Sequence, residues 1–211
     1  VVVLGIGDRI VVRQAYGNRS VMPSVQPATL DTIYDAASLT KVMATSVAIM
    51  QLVERGQIDL DRPAAAYWPA FAANGKADIT VRQLMTHYAG LPAGIPTRTW
   101  SGSEGALDAI VALKPLAPPG TRFIYSDVDF IVLGEIVRRV SGQPLDAYAA
   151  KNIFQPLGMR DTAFRPAVPR ERIAPADVIG GELRWGEVQD PIAYRMGGVA
   201  GHAGAFTTAD D

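Results

Sequence analysis

Ser38-Leu39-Thr40-Lys41 presents a hydroxyl and an amine three residues apart, at the head of an apolar run from Val42 to Val53 that ends at Gly56. Residues three apart share a helix face, so both groups point the same way. The first turn of a helix has free N–H groups and partial positive charge, which favour a developing alkoxide or oxyanion. A serine placed there can become a nucleophile if a base takes its proton. A lysine serves as base only where apolar neighbours disfavour its ammonium form, and Val42, Met43 and Ala44 are the candidates for those surroundings. There is a plainer reading, since serine is favoured at helix starts and lysine is ordinarily solvated.

Tyr125-Ser126-Asp127 lies between the Pro118-Pro119-Gly120 turn and a helical pattern whose Phe130, Leu133, Val137 and Val140 form one apolar face. A tyrosine at such a junction can turn its phenol into a cleft, where a neighbouring ammonium helps it take a proton from a serine. Asp127 equally suits the N-cap of that helix, with Tyr125 as a half-buried aromatic. His87, inside an apolar helical stretch, reads as a hydrogen-bonded structural histidine. Ser103, in Gly102-Ser103-Glu104-Gly105, lacks the Gly-x-Ser-x-Gly frame of a nucleophile elbow and reads as loop.

Composition narrows the function classes. The 211 residues are 48% hydrophobic and 19% charged with a formal net charge of −1, which describes one domain, 1–211, large enough for a substantial core. Near-neutrality leaves no electrostatic footprint for nucleic acid or an anionic membrane. Without cysteine there is no disulfide framework, thiolate zinc site or thiol nucleophile, and the two histidines are too far apart in sequence to suggest a metal cluster. No cofactor is expected. No apolar stretch reaches the roughly 18 residues of a membrane span.

The elements that must position these groups begin with β-branched runs, Val1 to Ile6 and Arg9 to Tyr16, around Gly7-Asp8; they predict a hairpin that Gly17-Asn18 ends. Helices are predicted over Ser38 to Arg55, Val81 to His87, Gly105 to Leu113, Phe130 to Val140 and Leu145 to Ile153. Pro115 to Gly120 and Pro166 to Pro175 read as surface crossings. Strands in front and helices behind give an α+β domain. The chain opens at Val1-Val2-Val3-Leu4 without methionine, and Thr208-Ala209-Asp210-Asp211 resembles a helix start, so it reads as truncated at both ends. Any export signal then lies upstream, which leaves periplasmic and cytoplasmic locations both open, and oligomeric state is not legible.

Taken together, Ser-x-x-Lys and Tyr-Ser-Asp resemble the serine β-lactamase and penicillin-binding-protein superfamily, in its class C-like branch of D-Ala-D-Ala carboxypeptidases, class C β-lactamases and β-lactamase-fold esterases. The resemblance extends over Thr32 to Lys41, Ile79 to Pro92, Phe123 to Asp127, Pro156 to Met159 and Gly201 to Asp210. It implies a β-lactamase/transpeptidase-like fold, an antiparallel sheet with a helical subdomain, whose C-terminal strands and third motif are missing here.

By the same resemblance Ser38 is the acylated nucleophile, Lys41 its proton-carrying neighbour and Tyr125 the base or acid facing both. Asp127 stands where many members have asparagine; a carboxylate there stabilises a Lys41 ammonium and leaves Tyr125 as principal base. His202-Ala203-Gly204 is set apart from the third motif, which in the family arrives on a later strand. His202 is expected at the cleft rim, contacting substrate or bracing a loop, and Gly204 beside it as a substrate-binding or supporting residue. The oxyanion is expected to be held by the Ser38 N–H and a second N–H from the missing strand. The implied reaction is acyl transfer from an ester or amide, including peptidoglycan-type substrates, through a Ser38 acyl-enzyme. Esterase and carboxypeptidase are favoured over efficient β-lactamase, and Trp68, Trp100 and the loop Gly90 to Ser103 are candidate acyl-pocket walls, with ordinary packing the equal reading for the aromatics. The alternatives are a penicillin-binding receptor that stays acylated at Ser38 and a degenerate structural relative.

Overall fold

The β-branched runs around Gly7-Asp8 do form a hairpin: in the computed structural model, which describes residues 1–211, β1 (Val2–Ile6) pairs antiparallel with β2 (Arg9–Gln14), and the turn takes Gly7 to a φ of 60°. Gly17-Asn18 ends the second run, and β3 (Asn18–Ser20) then pairs with β4 (Gln26–Pro27).

After β5 (Tyr34–Asp35), the apolar run is not one α-helix. Ala37–Leu39 is a 3₁₀ turn and Lys41–Thr45 a π-helical turn, and only then does α1 (Ser46–Glu54) begin, ending before Gly56 at φ 69°. The cause lies upstream of the apolar pattern. Ala37 is left-handed, with φ 45°, so the chain enters the helix through a bend that hydrophobic periodicity does not register. Single π turns inside helices gather at functional sites, and this one begins at Lys41.

Thr80 and Gln83 form a capping box for α2 (Val81–Met85), which satisfies two of the orphan N–H groups at its start. The helix stops short of His87, whose φ of 60° is left-handed; the helical placement of His87 is therefore corrected. Helix α3 (Gly102–Ala112) starts ahead of the expected Gly105, with Glu104 in its positively polarised first turn. It thereby takes Ser103 out of the expected loop. Ser126, not Asp127, caps α4 (Asp127–Ser141), because its side chain accepts the Asp129 N–H; Gly142 closes the other end left-handed at φ 72°.

Every residue of α4 from Val128 to Val137 is buried, where the sequence shows only one apolar face. The reason is that α1, α2 and α5 (Leu145–Ala149) all pack against it. Each large apolar side chain so enclosed contributes about 1.5–3 kcal/mol, which makes α4 the post of the molecule. A second π turn, Ala150–Phe154, extends α5.

The remaining strands are β6 (Ala163–Phe164), the hairpin of β7 (Asp177–Ile179) and β8 (Glu182–Arg184), and, after α6 (Pro191–Arg195), β9 (Ala205–Thr207). Strand β9 lies between β5 and β6 in an antiparallel sheet, with Asp35 opposite Phe206 and Phe164 opposite Ala205. This α+β arrangement brings the residues just before Ser38 against those just after His202. No helix is long and apolar enough to cross a membrane.

Candidate active site

Ser38 sits exposed in the middle of the 3₁₀ turn, and the residues on either side of it are tied down. Asp35 accepts the Ala37 N–H at 2.8 Å through Oδ1 and the Gln189 N–H at 2.7 Å through Oδ2. The Ala36 N–H donates to the Ala205 carbonyl at 2.9 Å, and the Ala205 N–H donates to Thr40 Oγ1 at 3.1 Å. These four bonds hold Ala37 left-handed, a conformation that costs a non-glycine residue on the order of 1–2 kcal/mol. Such strain persists only where the surroundings over-determine it.

Lys41 is 3% exposed, and its three ammonium hydrogens have three acceptors. Nζ lies 3.0 Å from Ser38 Oγ, 2.7 Å from Asp127 Oδ1 and 3.3 Å from the His202 carbonyl. The surroundings differ from the expected Val42, Met43 and Ala44, since Val42 is 59% exposed. Rings enclose the lysine instead, with Nζ 4.7 Å from the centroid of Tyr125 and 5.8 Å from that of Phe130. Because Lys41 donates to Ser38 Oγ, the serine's own hydrogen is free to point elsewhere.

Tyr125 arrives from the loop before α4, half exposed, with its ring 4.6 Å from that of His87. One residue inside α4, Asp127 reaches Lys41, and its N–H donates to the Ala93 carbonyl at 2.8 Å. Ser38, Lys41, Tyr125 and Asp127, drawn from two regions 86 residues apart, thus share one locus.

His202 is not at a rim. It is 1% exposed, with Nε2 2.7 Å from Asp190 Oδ1, and it meets the site through its backbone carbonyl on Lys41. Asp190 also accepts the Ala193 N–H at 2.8 Å as the N-cap of α6. Burial pushes the Asp190 carboxyl up, but the His202 imidazole and the Ala193 and Ile192 amides outweigh it and hold the carboxyl below its ordinary value. An ionised Asp190 takes a hydrogen from Nε2, so the remaining hydrogen-bond vacancy on the ring is the partnerless, buried Nδ1. Gly204 supports by backbone alone: at φ 121°, a Cβ there meets the Gly198 carbonyl at 2.5 Å.

Trp68 and Trp100, offered as acyl-pocket walls, are core residues instead. Trp68 stacks on Phe71 at 5.7 Å and Trp100 Nε1–H donates to the Pro96 carbonyl; they are 3% and 8% exposed. Sequence reasoning missed Asp35, Thr40 and Asp190. Asp190-Pro191 does carry the signature of a helix start, whereas nothing in the sequence marks Asp35.

Asp127, Asp190 and His202 bring one potential ligand atom each within 4.8 Å of one another, the only grouping of a kind that holds a metal. The Lys41 ammonium is already bonded to Asp127 and to the His202 carbonyl, so this cluster has a cation of its own.

The Beta-lactamase family model matches residues 1–211. The chain is 34% identical to a protein of Escherichia coli (strain K12) named "Putative D-alanyl-D-alanine carboxypeptidase", over 97% of this chain and 56% of that one. An identically named protein of Salmonella schwarzengrund (strain CVM19633) is 34% identical over 87% of this chain and 50% of its own. The chain therefore spans about half the length of these relatives. Among solved structures, FmtA from Staphylococcus aureus superposes with a TM-score of 0.76 at 21% identity, over 92% of this chain and 52% of that one, a likeness of fold. With the whole chain matched by the family model and this fold around a Ser-x-x-Lys turn, the protein belongs to the Beta-lactamase family.

Proposed function

We propose that this protein is a serine hydrolase that forms an acyl-enzyme at Ser38, with carboxypeptidase-type cleavage of a peptide ending in D-Ala-D-Ala as its reaction. The observation that carries the reading is the 3.0 Å contact between Lys41 Nζ and Ser38 Oγ, with the Tyr125 ring centroid 4.7 Å from the same amine. The names of the carboxypeptidase relatives support the choice of substrate over a simple ester.

In the proposed mechanism Lys41 stays an ammonium, paired with Asp127, and orients the Ser38 lone pairs by donating to Oγ. Tyr125, as phenolate, takes the Ser38 hydrogen while Oγ attacks the scissile carbonyl. The carbonyl π pair moves onto oxygen, and collapse of the tetrahedral adduct breaks the C–N bond as Tyr125 returns the proton to the departing amine. Water then adds to the ester carbonyl as its proton passes to Tyr125, and when the Ser38 C–O bond breaks Tyr125 returns that proton to Ser38 Oγ, releasing the acid and restoring the starting phenolate. Covalent catalysis here divides amide hydrolysis into two lower barriers.

The test is to incubate the full-length protein with an acyl-D-Ala-D-Ala peptide, a β-lactam and a short-chain nitrophenyl ester, and to follow protein mass and product. Expected are a transient adduct on Ser38, multiple turnovers of the peptide, no adduct with Ser38→Ala, and about 10²–10⁴-fold slower acylation with Tyr125→Phe. A lasting one-equivalent adduct without turnover makes the protein a penicillin-binding receptor. Neither adduct nor product makes it a structural relative.

A further inference from the structure

His87 belongs to none of the steps above, yet it holds three successive residues around Tyr125. Its carbonyl accepts the Ile124 N–H at 2.9 Å, its ring lies 4.6 Å from the Tyr125 ring, and its Nδ1 lies 3.2 Å from the Ser126 N. The imidazole is itself boxed in, with the Phe123 ring edge-on at 5.9 Å and the Phe130 ring at 5.2 Å. Its backbone is left-handed at φ 60°, a region open to glycine and, among other residues, mainly to asparagine, aspartate and histidine.

Behind the imidazole, Asp129 Oδ2 lies 3.1 Å from the same Nδ1, on a side chain only 1% exposed. A ring nitrogen has either one hydrogen or one lone pair, so Nδ1 cannot donate to a carboxylate and accept from an amide at once. Both contacts are satisfied together when Nδ1 carries no hydrogen and Asp129 is the protonated acid, donating from Oδ2. The buried and unpartnered Oδ1 agrees with that form, because a neutral carbonyl oxygen tolerates the lack of a partner better than a carboxylate does. Burial pushes the Asp129 carboxyl up to about 6, so the protonated form is the filled one below that pH. The other charged groups nearby are Asp127 on the same helix turn and Lys41, beyond the Tyr125 and Phe130 rings.

We infer that His87 is a positioning residue for Tyr125: backed by Asp129, its imidazole fixes the 124–126 segment so that the phenol faces Ser38 and Lys41. The inference rests on Tyr125 being the proton carrier of the proposed reaction. Nδ1 is the atom that matters, and two substitutions separate it from bulk. His87→Asn keeps an acceptor near the place of Nδ1 and tolerates positive φ, whereas His87→Gln keeps more of the bulk but moves its amide to the Nε2 end.

The experiment measures acylation of full-length protein by a short-chain nitrophenyl ester, separating kcat from KM, with unfolding midpoints recorded for each variant. His87→Gln is expected to lower kcat about 10–100-fold with KM nearly unchanged, the size of effect that follows from displacing a reacting group by about 1 Å. His87→Asn is expected to regain most of that loss. In a Tyr125→Phe background, His87→Gln is expected to cost nothing further, because a residue acting through the phenol has nothing left to position. Should His87→Gln fail to fold, His87→Ala carries the same expectations. Equal rates for Gln, Asn and wild type overturn the inference, as does a loss that persists undiminished in the Tyr125→Phe background. If Tyr125→Phe itself acylates like wild type, the proposed role of the phenol fails first; if it is slow while His87→Gln is fast, only the positioning role fails.

Discussion

Replacing Asp129 by asparagine should make the protein more stable at neutral pH and leave it little changed in acid. The Asp129 carboxyl is enclosed at the N-terminal end of α4, and burial raises it from 3.8 to about 6 against the weaker opposing effect of His87. In the unfolded chain it ionises near pH 4. Between about pH 4 and pH 6 the folded protein therefore binds a proton that the unfolded chain has released, so stability from this group is greatest below pH 4 and falls as pH rises to about 6. A rise of that size is worth about 3 kcal/mol at neutral pH. Asparagine keeps the shape and a donor for His87 Nδ1 but carries no charge to bury. Urea unfolding at pH 4.5 and 7.5 should show the variant gaining about 2 kcal/mol over wild type between the two, or roughly 4–8 °C in midpoint for a domain of this size. Parallel pH profiles for the two proteins would refute the claim that a buried, ionisable carboxyl opposes folding here.

Three other substitutions act through single contacts. Lys76 is fully buried and donates to the carbonyls of Ala73, Val111 and Leu113 at 2.6, 2.9 and 2.5 Å, so Lys76→Met should cost roughly 2–4 kcal/mol in urea unfolding by leaving acceptors unpaired. Burial also lowers the pKa of this amine below 10.5; the unfolded chain then binds the extra proton just below that pH, and wild-type stability should rise with pH there in a way the methionine variant does not share. A Cβ at position 201 meets the Phe130 carbonyl at 1.9 Å, so Gly201→Ala should lower the unfolding midpoint by well over 5 °C or prevent folding, read by circular dichroism. Lys41→Met should abolish the Ser38 adduct in the mass assay while leaving the fold intact, since the site is built on backbone bonds at Ala36, Ala37 and Ala205 that do not involve the amine.

The parts of this molecule that were legible in the sequence are those written in local chemistry. Turn residues at Gly7-Asp8 marked the first hairpin, apolar periodicity marked five helices, and the types and order of Ser38, Lys41, Tyr125 and Asp127 marked the site that the fold brings together. The illegible parts are set by distant partners. Ala37 is strained by Asp35 and β9, and alanine carries no sign of positive φ. Ser126 displaced Asp127 as cap because Lys41 claims the carboxylate from 86 residues away. His202 turned inward because Asp190, twelve residues upstream, takes its Nε2 hydrogen, and Trp68 and Trp100 are aromatic for packing.

Gly201 is where these parts meet with one hydroxyl as the only side chain between them. Its Cα lies within reach of a Cβ built on Gly134 at 3.1 Å, its own missing Cβ leaves room for the Phe130 carbonyl, and its carbonyl accepts from Thr45 Oγ1 at 2.7 Å. The helix that begins at Asp127 and the segment leading into His202 therefore bear on each other through main chain, and the helical run behind Ser38 is tied to them by the Thr45 hydroxyl. Side-chain replacement can tune a packed interface by degrees, but here there is no compressible layer to tune. Change is thus steered to the rim, where residues can vary one at a time, while the spacing of Ser38, Lys41 and Tyr125 is inherited whole.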